Sequence, residues 1–148
     1  MIECDGCTLC CKFPVIPEVN SKVNEYCQYC KEEVGCEIYE ERPESCRIYE
    51  CAWKQMISQM LIVSKELRPD KCHVLFEKYS DNVIVGVTEK ELSLLVLNQI
   101  NFFRREGISI LIVDYNKKSK TFFLAAGHNR DFVREQINGG TKLHRRFK

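Results

Sequence analysis

Cysteines are concentrated at one end of this chain: nine of the ten cysteines in its 148 residues lie within the first 51 positions. A chain of this length buries an adequate core without covalent cross-links, so the thiols are not needed to hold together a very small fold. Only three residues precede Cys4, which leaves no room for a signal peptide before the first thiol, and we expect a reducing cytoplasm. Clustered thiols in that compartment favour a metal site or catalysis over a disulfide scaffold.

The spacing of these cysteines is typical of metal ligands. Two segments carry Cys-x-x-Cys repeats, one beginning at Cys4 and the other at Cys27. Such a loop brings two sulfurs to one ion at about 2.3 Å. Nine thiols exceed the four ligands of one tetrahedral site and fit two sites with one thiol to spare, so we predict two all-cysteine centres. The predicted ligands are Cys4, Cys7, Cys10, Cys11, Cys27, Cys30, Cys36, Cys46 and Cys51.

The metal itself is left open between zinc and iron. No histidine accompanies the front cysteines, and an all-thiolate ligand set favours zinc or an iron–sulfur cluster over hard ions such as magnesium. The run Cys4, Cys7, Cys10 also has the spacing of a bacterial ferredoxin cluster, whose fourth cysteine comes from elsewhere. Cys72 stands apart from the other nine, and we expect it to be a small buried apolar residue at the start of a strand.

The net charge of +1 conceals two halves of opposite sign. Residues 1–51 carry 5 basic and 11 acidic side chains, a net charge of −6, whereas residues 52–148 carry 17 and 10, a net charge of +7. The acidic front half argues against nucleic acid as a partner, because binding to phosphates needs Lys and Arg. No apolar run approaches the about 20 residues of a membrane span, so no membrane partner is expected. Any protein partner would bind through the rear half.

Thiolates in an already acidic segment also need nearby cations. A divalent ion with four thiolates carries a charge of −2, so positive side chains or helix N-termini are expected beside the sulfurs. Lys12, Arg42 and Arg47 are the candidates by position. Tyr39 is expected in the core, although its hydroxyl could also donate to a sulfur, and Trp53 is expected in the core beneath the cluster.

The sequence pattern of the rear half predicts an α+β fold. Two β-rich hairpins alternate with two helices, which predicts the order ββαββα: a small, mainly antiparallel four-stranded sheet with helices on one face. The predicted elements are strands at 73–79 and 82–88, a helix opened by a capping box from Thr88 to Glu91, strands at 108–115 and 120–126, and a helix at 130–137 capped by Asn129. An irregular cysteine-rich module would pack on this sheet. The predicted boundaries are 1–70 for the cysteine module and its following helix, 71–140 for the α+β half, and 141–148 for a basic tail.

One further helix is predicted between the halves. Pro43 suits a first helical turn, and apolar residues continue at helical spacing to Leu61. Cys46 and Cys51 would lie about 140° apart around such a helix, and they would then face different centres.

These motifs resemble a known family. The segments CDGCTLCC, CQYC and GCEIYEERPESCRIYECAW are similar to the YkgJ-type cysteine-cluster family of zinc- or iron-chelating domains, whose hallmark is CxxCxxCC followed by a second segment of the form CxIYxxRPxxC. The resemblance covers about residues 4–53 and implies cytoplasmic metal chelation. It implies ligand roles for Cys4, Cys7, Cys10, Cys11, Cys36, Cys46 and Cys51, while the Cys27–Cys30 pair belongs to a subset of relatives. Flagellin lysine methylases share the cluster, which adds weight to iron–sulfur chemistry.

Three functional hypotheses follow. The first is a cytoplasmic metal-binding protein with zinc or iron in two all-cysteine centres. The second is an iron–sulfur redox or group-transfer enzyme, although no nucleophile–base pair, phosphate loop or paired carboxylates stand out in the sequence. The third is a metal-stabilised adaptor that binds a protein partner through an uncovered, apolar face of the sheet.

Overall fold

The computed structural model describes residues 6–59 and 64–139, and the fold is α+β, as predicted. Cys4, Met60, Leu61 and the basic tail from 141 onward lie outside the described residues. The helices are α1 (Glu44–Arg47), α2 (Ala52–Ser58), α3 (Pro69–Cys72), α4 (Leu94–Arg105) and α5 (Arg130–Asn138). The strands are β1 (Cys30–Lys31), β2 (Gly35–Cys36), β3 (Val74–Lys78), β4 (Val83–Thr88), β5 (Ser109–Asp114) and β6 (Ser119–Phe123).

The rear half has the predicted order ββαββα. Its four strands lie in the order β3-β4-β5-β6, in which the two outer pairs are antiparallel and the central pair, β4 with β5, is parallel. A parallel pair cannot be joined by a tight turn, and α4 supplies the crossover. Two of three pairings are therefore hairpins, in agreement with a mainly antiparallel sheet.

Both faces of this sheet are covered, so the expectation of helices on one face was wrong. Val96 and Ile100 of α4 pack on one face, together with Ala52 of α2. Val133 of α5 and Phe13 of the front half pack on the other face. The central strands are apolar at nearly every position, which is typical of strands buried on both sides. The uncovered sheet face that an adaptor would use does not exist in the described part of the chain.

The N-cap residue predicted for α5 is confirmed, whereas the one predicted for the preceding helix, α4, is not. The side chain of Asn129 accepts a hydrogen bond from the Phe132 amide at 2.8 Å, as predicted for α5. The start of α4 is capped by Ser93, whose Oγ accepts from the Val96 amide, so the capping box predicted at Thr88 was wrong. The Thr88 hydroxyl instead donates to the carbonyl of His73 at 2.7 Å and ties the end of β4 to β3.

The long helix predicted between the halves is broken. Helix α1 ends at Arg47, and Cys51 is the N-cap residue of α2 with extended backbone angles. Cys46 and Cys51 therefore lie on separate short elements, and the angle expected from a continuous helix does not apply.

The front half is irregular and sits against the sheet. Apart from two-residue strands and the four-residue helix α1, its described part consists of turns and short 3-10 segments. Phe13 is 2% exposed and stacks on Tyr115, with ring centroids 6.0 Å apart. The cysteine segment is thus anchored by an aromatic side chain in the core of the rear half. The boundaries predicted between the modules stay a prediction.

Candidate metal centre

The first thiols are presented by a tight turn. The Cys11 amide donates to the carbonyl of Thr8 at 2.9 Å, which places Cys10 and Cys11 in a 3-10 turn. Gly6 has a φ of 83°, and a Cβ there would lie 3.1 Å from the carbonyl oxygen of Glu33. Glycine is required here because of both the left-handed backbone and this close approach.

The second Cys-x-x-Cys loop lies directly on the first. The Cys27 amide donates to the Cys11 carbonyl at 2.8 Å, and the Cys30 amide donates to the Cys27 carbonyl at 2.8 Å. Cys30 then begins β1 and pairs with Cys36 of β2 in antiparallel register. Cys11 and Cys30, which are 19 positions apart in the chain, are thereby brought together.

Electrostatic coupling among these thiols follows from their proximity. The pKa of Cys11 is raised, first by a hydrogen bond with the Cys10 side chain, then by burial and by Cys30. The pKa of Cys30 is raised mainly by burial, with further contributions from the neighbouring Cys10, Cys27 and Cys36. Without a cation the Cys11 and Cys30 thiols stay protonated near neutral pH, since burial and neighbouring thiolates both disfavour their ionised forms. Cys30 thus has thiol neighbours in three segments of the chain: Cys10 and Cys11 in the first turn, Cys27 in its own loop, and Cys36 in β2.

Cys7 lies toward a different part of the molecule. Burial raises the pKa of its thiol to about 11, and the charges of Asp70 and Cys10 act in the same direction. Asp70 forms a two-pronged ion pair with Arg68, at 2.6 and 2.7 Å. Asp70 was not predicted to lie near this thiol, because nothing in the sequence relates it to Cys7, which is 63 positions earlier.

The two remaining front cysteines face different surroundings. Cys46 of α1 packs on the small apolar cluster around Cys27. Cys51 packs on the core of the large sheet, in the cluster that contains Phe13 and Val133. The chain therefore separates Cys46 from Cys51 through a change of element.

Of the three cations predicted beside the sulfurs, Arg42 lies there. The pKa of Arg42 is raised, first by its hydrogen bond with Tyr39 and also by the charges of Cys36 and Cys46. Its Nε is buried and has no hydrogen-bond partner among the described residues. Arg47 instead donates to the backbone carbonyls of Arg42 and Glu40.

The third cation and the two aromatic residues were predicted with mixed success. Lys12 pairs with Glu89 of the rear half and lies over the ring of Tyr26. Tyr39 is 51% exposed and holds the Arg42 guanidinium 3.7 Å from its ring centre, so the core position predicted for it was wrong. Trp53 is buried, as predicted, and its Nε1 donates to the Ser64 carbonyl.

Cys72 has the buried environment predicted for it. The residue is 6% exposed, and its sulfur lies 3.4 Å from the carbonyl oxygens of Leu67 and Val74, both of which can accept from the thiol. Burial is the main cause of its raised pKa. It belongs to the core on the α4 side of the sheet.

The described thiols do not converge on a single point where an ion could bind. Within residues 6–59 and 64–139, no three His, Cys, Asp or Glu side chains are arranged so that they could hold a metal ion. Of the described cysteines, Cys7, Cys11, Cys27, Cys30 and Cys36 are in no disulfide. As a donor set, grouped thiols fit a soft or borderline ion, and one predicted ligand, Cys4, lies outside these ranges.

No other part of the described chain assembles an alternative site. A 690 Å³ surface cavity is lined by Asn98, Asn101, Arg104, Arg105 and residues 124–126, none of them a cysteine. His128 is held by fully buried Ser109, whose Oγ lies 2.7 Å from its Nδ1, which is a structural contact. Among the described residues, no helix has the length and apolar composition that a membrane span requires.

Comparison of the chain with protein-family models, with curated proteins and with solved structures found no match. The resemblance to the YkgJ-type family therefore stays a prediction that rests on the cysteine motifs.

Proposed function

We propose that this chain is a cytoplasmic metal-binding protein that holds zinc or iron in two all-cysteine centres in its front half. The observation that carries the proposal is the meeting of three chain segments at Cys30, which has Cys11, Cys27 and Cys36 as neighbours. The pKa values of the Cys11 and Cys30 thiols are raised, so these thiols are costly to ionise alone, and a bound cation removes that cost. The predicted ligands are Cys4, Cys7, Cys10, Cys11, Cys27, Cys30, Cys36, Cys46 and Cys51.

The role we propose for the metal is to organise the front half. The described part of this half has only two-residue strands, short 3-10 segments and the four-residue helix α1, and its own apolar cluster is limited to Ile16, Val19 and Cys27 with a few partly buried neighbours. Metal binding in small cysteine modules is coupled to folding, because the ligands converge only in the folded state. The cytoplasm is proposed as the compartment because thiols persist there.

Metal removal provides the first test. Protein purified under nitrogen is expected to contain about two zinc ions, or iron with inorganic sulfide, per chain by elemental analysis. Stripping the metal with a chelator should open residues 6–51 to protease, while amide exchange in β4 and β5 stays slow. Purified protein without bound metal, or a metal-free form with unchanged protease resistance in the front half, would contradict the proposal.

The same preparation separates the iron–sulfur enzyme from the metal-binding protein. An iron–sulfur protein is brown and absorbs broadly in the visible range, and that absorbance bleaches on reduction or exposure to air. Colourless protein that contains zinc alone excludes the iron–sulfur alternative.

One observation favours the adaptor as a second candidate. The outer side of α4 exposes Leu94, Leu95 and Phe102, which are 74%, 42% and 49% accessible. Large apolar side chains grouped on one helix face are typical of partner surfaces. Replacing Leu94 and Phe102 with Ser should leave metal content unchanged, whereas any partner captured by the wild type should be lost.

A further inference from the structure

We propose that Cys30 and Cys36 form a redox modification site, at which an oxidant of the peroxide class joins the two thiols in a reversible disulfide. The site needs two opposed sulfurs and no metal ion, so it goes beyond the function proposed above. Among the described residues no three ligands meet at one point, whereas strand pairing sets these two cysteines directly opposite each other.

Strand register brings the two cysteines to the separation that a disulfide requires. Cys30 of β1 is the direct partner of Cys36 of β2 in an antiparallel pair. In the next pair along, the amide of Glu37 donates to the carbonyl of Tyr29 at 2.8 Å. Because hydrogen-bonded and non-hydrogen-bonded pairs alternate along an antiparallel ladder, the cysteines form a non-hydrogen-bonded pair. Their Cα atoms are then about 4.5 Å apart, within the range of about 4.4–6.8 Å found for disulfides.

The two cysteine side chains also lie on the same face of the hairpin. Directly opposed residues of a strand pair point to one face, and their side chains come closest at non-hydrogen-bonded positions. The Cβ atoms joined by a disulfide are about 3.5–4.5 Å apart. Rotation of the side chains therefore suffices to join the sulfurs, with no change in strand pairing.

The hairpin that carries this pair is held by contacts at its turn. The Val34 amide donates to the Lys31 carbonyl at 3.0 Å and closes the turn. The Glu33 amide donates to Oγ1 of Thr8 at 3.3 Å and ties the turn to the first cysteine segment. The thiols are thus kept opposed before any bond joins them, which lowers the entropic cost of closing the ring.

Exposure favours this pair over the other thiol neighbours of Cys30. Cys30 and Cys36 are both partly exposed, whereas Cys27 is 8% exposed and belongs to an apolar cluster. Cys11 is the remaining competitor, since its thiol is hydrogen-bonded to that of Cys30. That bond positions two sulfurs, whereas strand pairing sets the backbone separation on which a disulfide depends.

The oxidation balances with hydrogen peroxide as the oxidant. One thiol attacks a peroxide oxygen, which breaks the O–O bond, forms a sulfenic acid and releases one water. The second thiol attacks the sulfenic sulfur, forms the S–S bond and releases a second water. The two thiols together lose two protons and two electrons. A dithiol such as dithiothreitol reverses the change by thiol–disulfide exchange.

Under the proposed function, this disulfide also regulates the metal. A sulfur in a disulfide is no longer an anionic ligand, so oxidation removes two of the predicted ligands at once. Where the two sulfurs hold an ion as thiolates, solvent supplies the two protons and the ion is released. In a reducing cytoplasm, disulfides that form transiently are typical of redox sensing.

Disulfide mapping of the wild-type protein as purified tests the proposal. The protein is treated with equimolar hydrogen peroxide, blocked with N-ethylmaleimide and digested without reductant. Cleavage after Lys31 places Cys30 and Cys36 on separate peptides, and fragmentation identifies the linked residue in each. The Cys30–Cys36 link is expected to be the main product and to disappear with dithiothreitol. A main link from Cys30 to Cys11 or Cys27, or oxidised thiols without a link, would overturn the proposal.

A shifted cysteine provides the matched control. The double substitution C36S/E37C keeps the number of thiols and moves one of them to the next position, which faces the opposite side of the hairpin. This variant should form about tenfold less of a link to Cys30, because the two Cβ atoms then point apart. C72A should form the Cys30–Cys36 link to the same extent as the wild type. Equal linking of Cys30 in the shifted variant would contradict a reaction directed by strand register.

Metal analysis of the same preparation, before peroxide is added, separates this proposal from the proposed function. A wild type without metal contradicts the proposed function, and the Cys30–Cys36 link can still be mapped. A metal-containing protein in which these two cysteines stay unlinked after oxidation overturns the disulfide alone.

Discussion

At the scale of single residues, Arg42 is the side chain whose position has the clearest electrostatic meaning. It stacks on Tyr39, lies beside Cys36 and Cys46, and has a buried Nε without a hydrogen-bond partner among the described residues. A guanidinium placed next to thiolates favours their ionised form and therefore favours metal binding.

Arg42→Gln is therefore expected to weaken metal retention about tenfold, because it removes the positive charge beside two thiolates. Arg42→Lys, which keeps the charge, is the matched control and should stay close to the wild type. Competition with a chromophoric chelator at low ionic strength measures the difference. Equal retention in the wild type and the Gln variant would show that this charge plays no part.

Residue spacing predicted much of this site, but not its internal arrangement. The separation of Cys72 from the other nine cysteines could be inferred, because it stands alone in the sequence at the start of a β-rich run. The grouping of Cys11 with Cys27 depends on one backbone hydrogen bond between distant turns, which no local pattern encodes. The exposure of Tyr39 was likewise unpredictable, since an aromatic residue between charged neighbours fits either core packing or a cation contact.

At the scale of elements, hydrophobic periodicity located the strands and helices of the rear half, whereas helix ends depended on which polar residue acts as the cap. Both Thr88 and Ser93 precede the apolar stripe of α4. The Thr88 hydroxyl donates to the His73 carbonyl and accepts from the Lys90 amide within a turn, and the first helical amide to be capped, that of Val96, donates to Ser93. The broken helix near Cys51 has a similar cause, because the chain extends there to bring Cys51 against the sheet.

Ser93→Ala is expected to lower the free energy of unfolding by about 1 kcal/mol, because it removes the acceptor for the Val96 amide. Glu91→Ala is the informative control. Glu91 is exposed and forms an exposed ion pair with Lys117, so its loss should cost less than about 0.5 kcal/mol. Urea denaturation midpoints compare the two variants. A larger loss of stability for the Glu91 variant would contradict this prediction and would favour a capping box from Thr88 to Glu91.

At the scale of the whole molecule, the raised thiol pKa values make stability depend on pH in opposite senses with and without metal. In the metal-free protein, a thiol such as Cys7 has a pKa of about 11, above its ordinary value of 9.0. The folded state then binds more protons than the unfolded state between these values, so stability is fully present below 9.0 and falls as pH rises toward 11. Metal-bound thiolates have already lost their protons, and protons compete with the metal at lower pH. The stability of the metal-bound protein therefore rises with pH in that range.

Thermal unfolding across about pH 6 to 10, with and without chelator, measures this difference. The metal-loaded protein should become more stable as pH rises through neutrality. The metal-free protein should show no such gain and should lose stability above about pH 9. Identical pH profiles for the two forms would contradict metal binding by these thiols.

The position of Phe13 has a consequence for the order of events during synthesis. Phe13 packs on residues of strands β3, β4 and β5 and on Tyr115, and the last of these, β5 and Tyr115, leave the ribosome about a hundred residues after Phe13 itself. At a synthesis rate of about 5–20 residues per second, roughly 5–20 s pass between the emergence of the cysteine segment and the emergence of β5, on which Phe13 packs. Under the proposed function, metal loading that depends on this anchored position of the cysteine segment is expected to follow the folding of β5, so the half of the chain made last would set when the first half is completed.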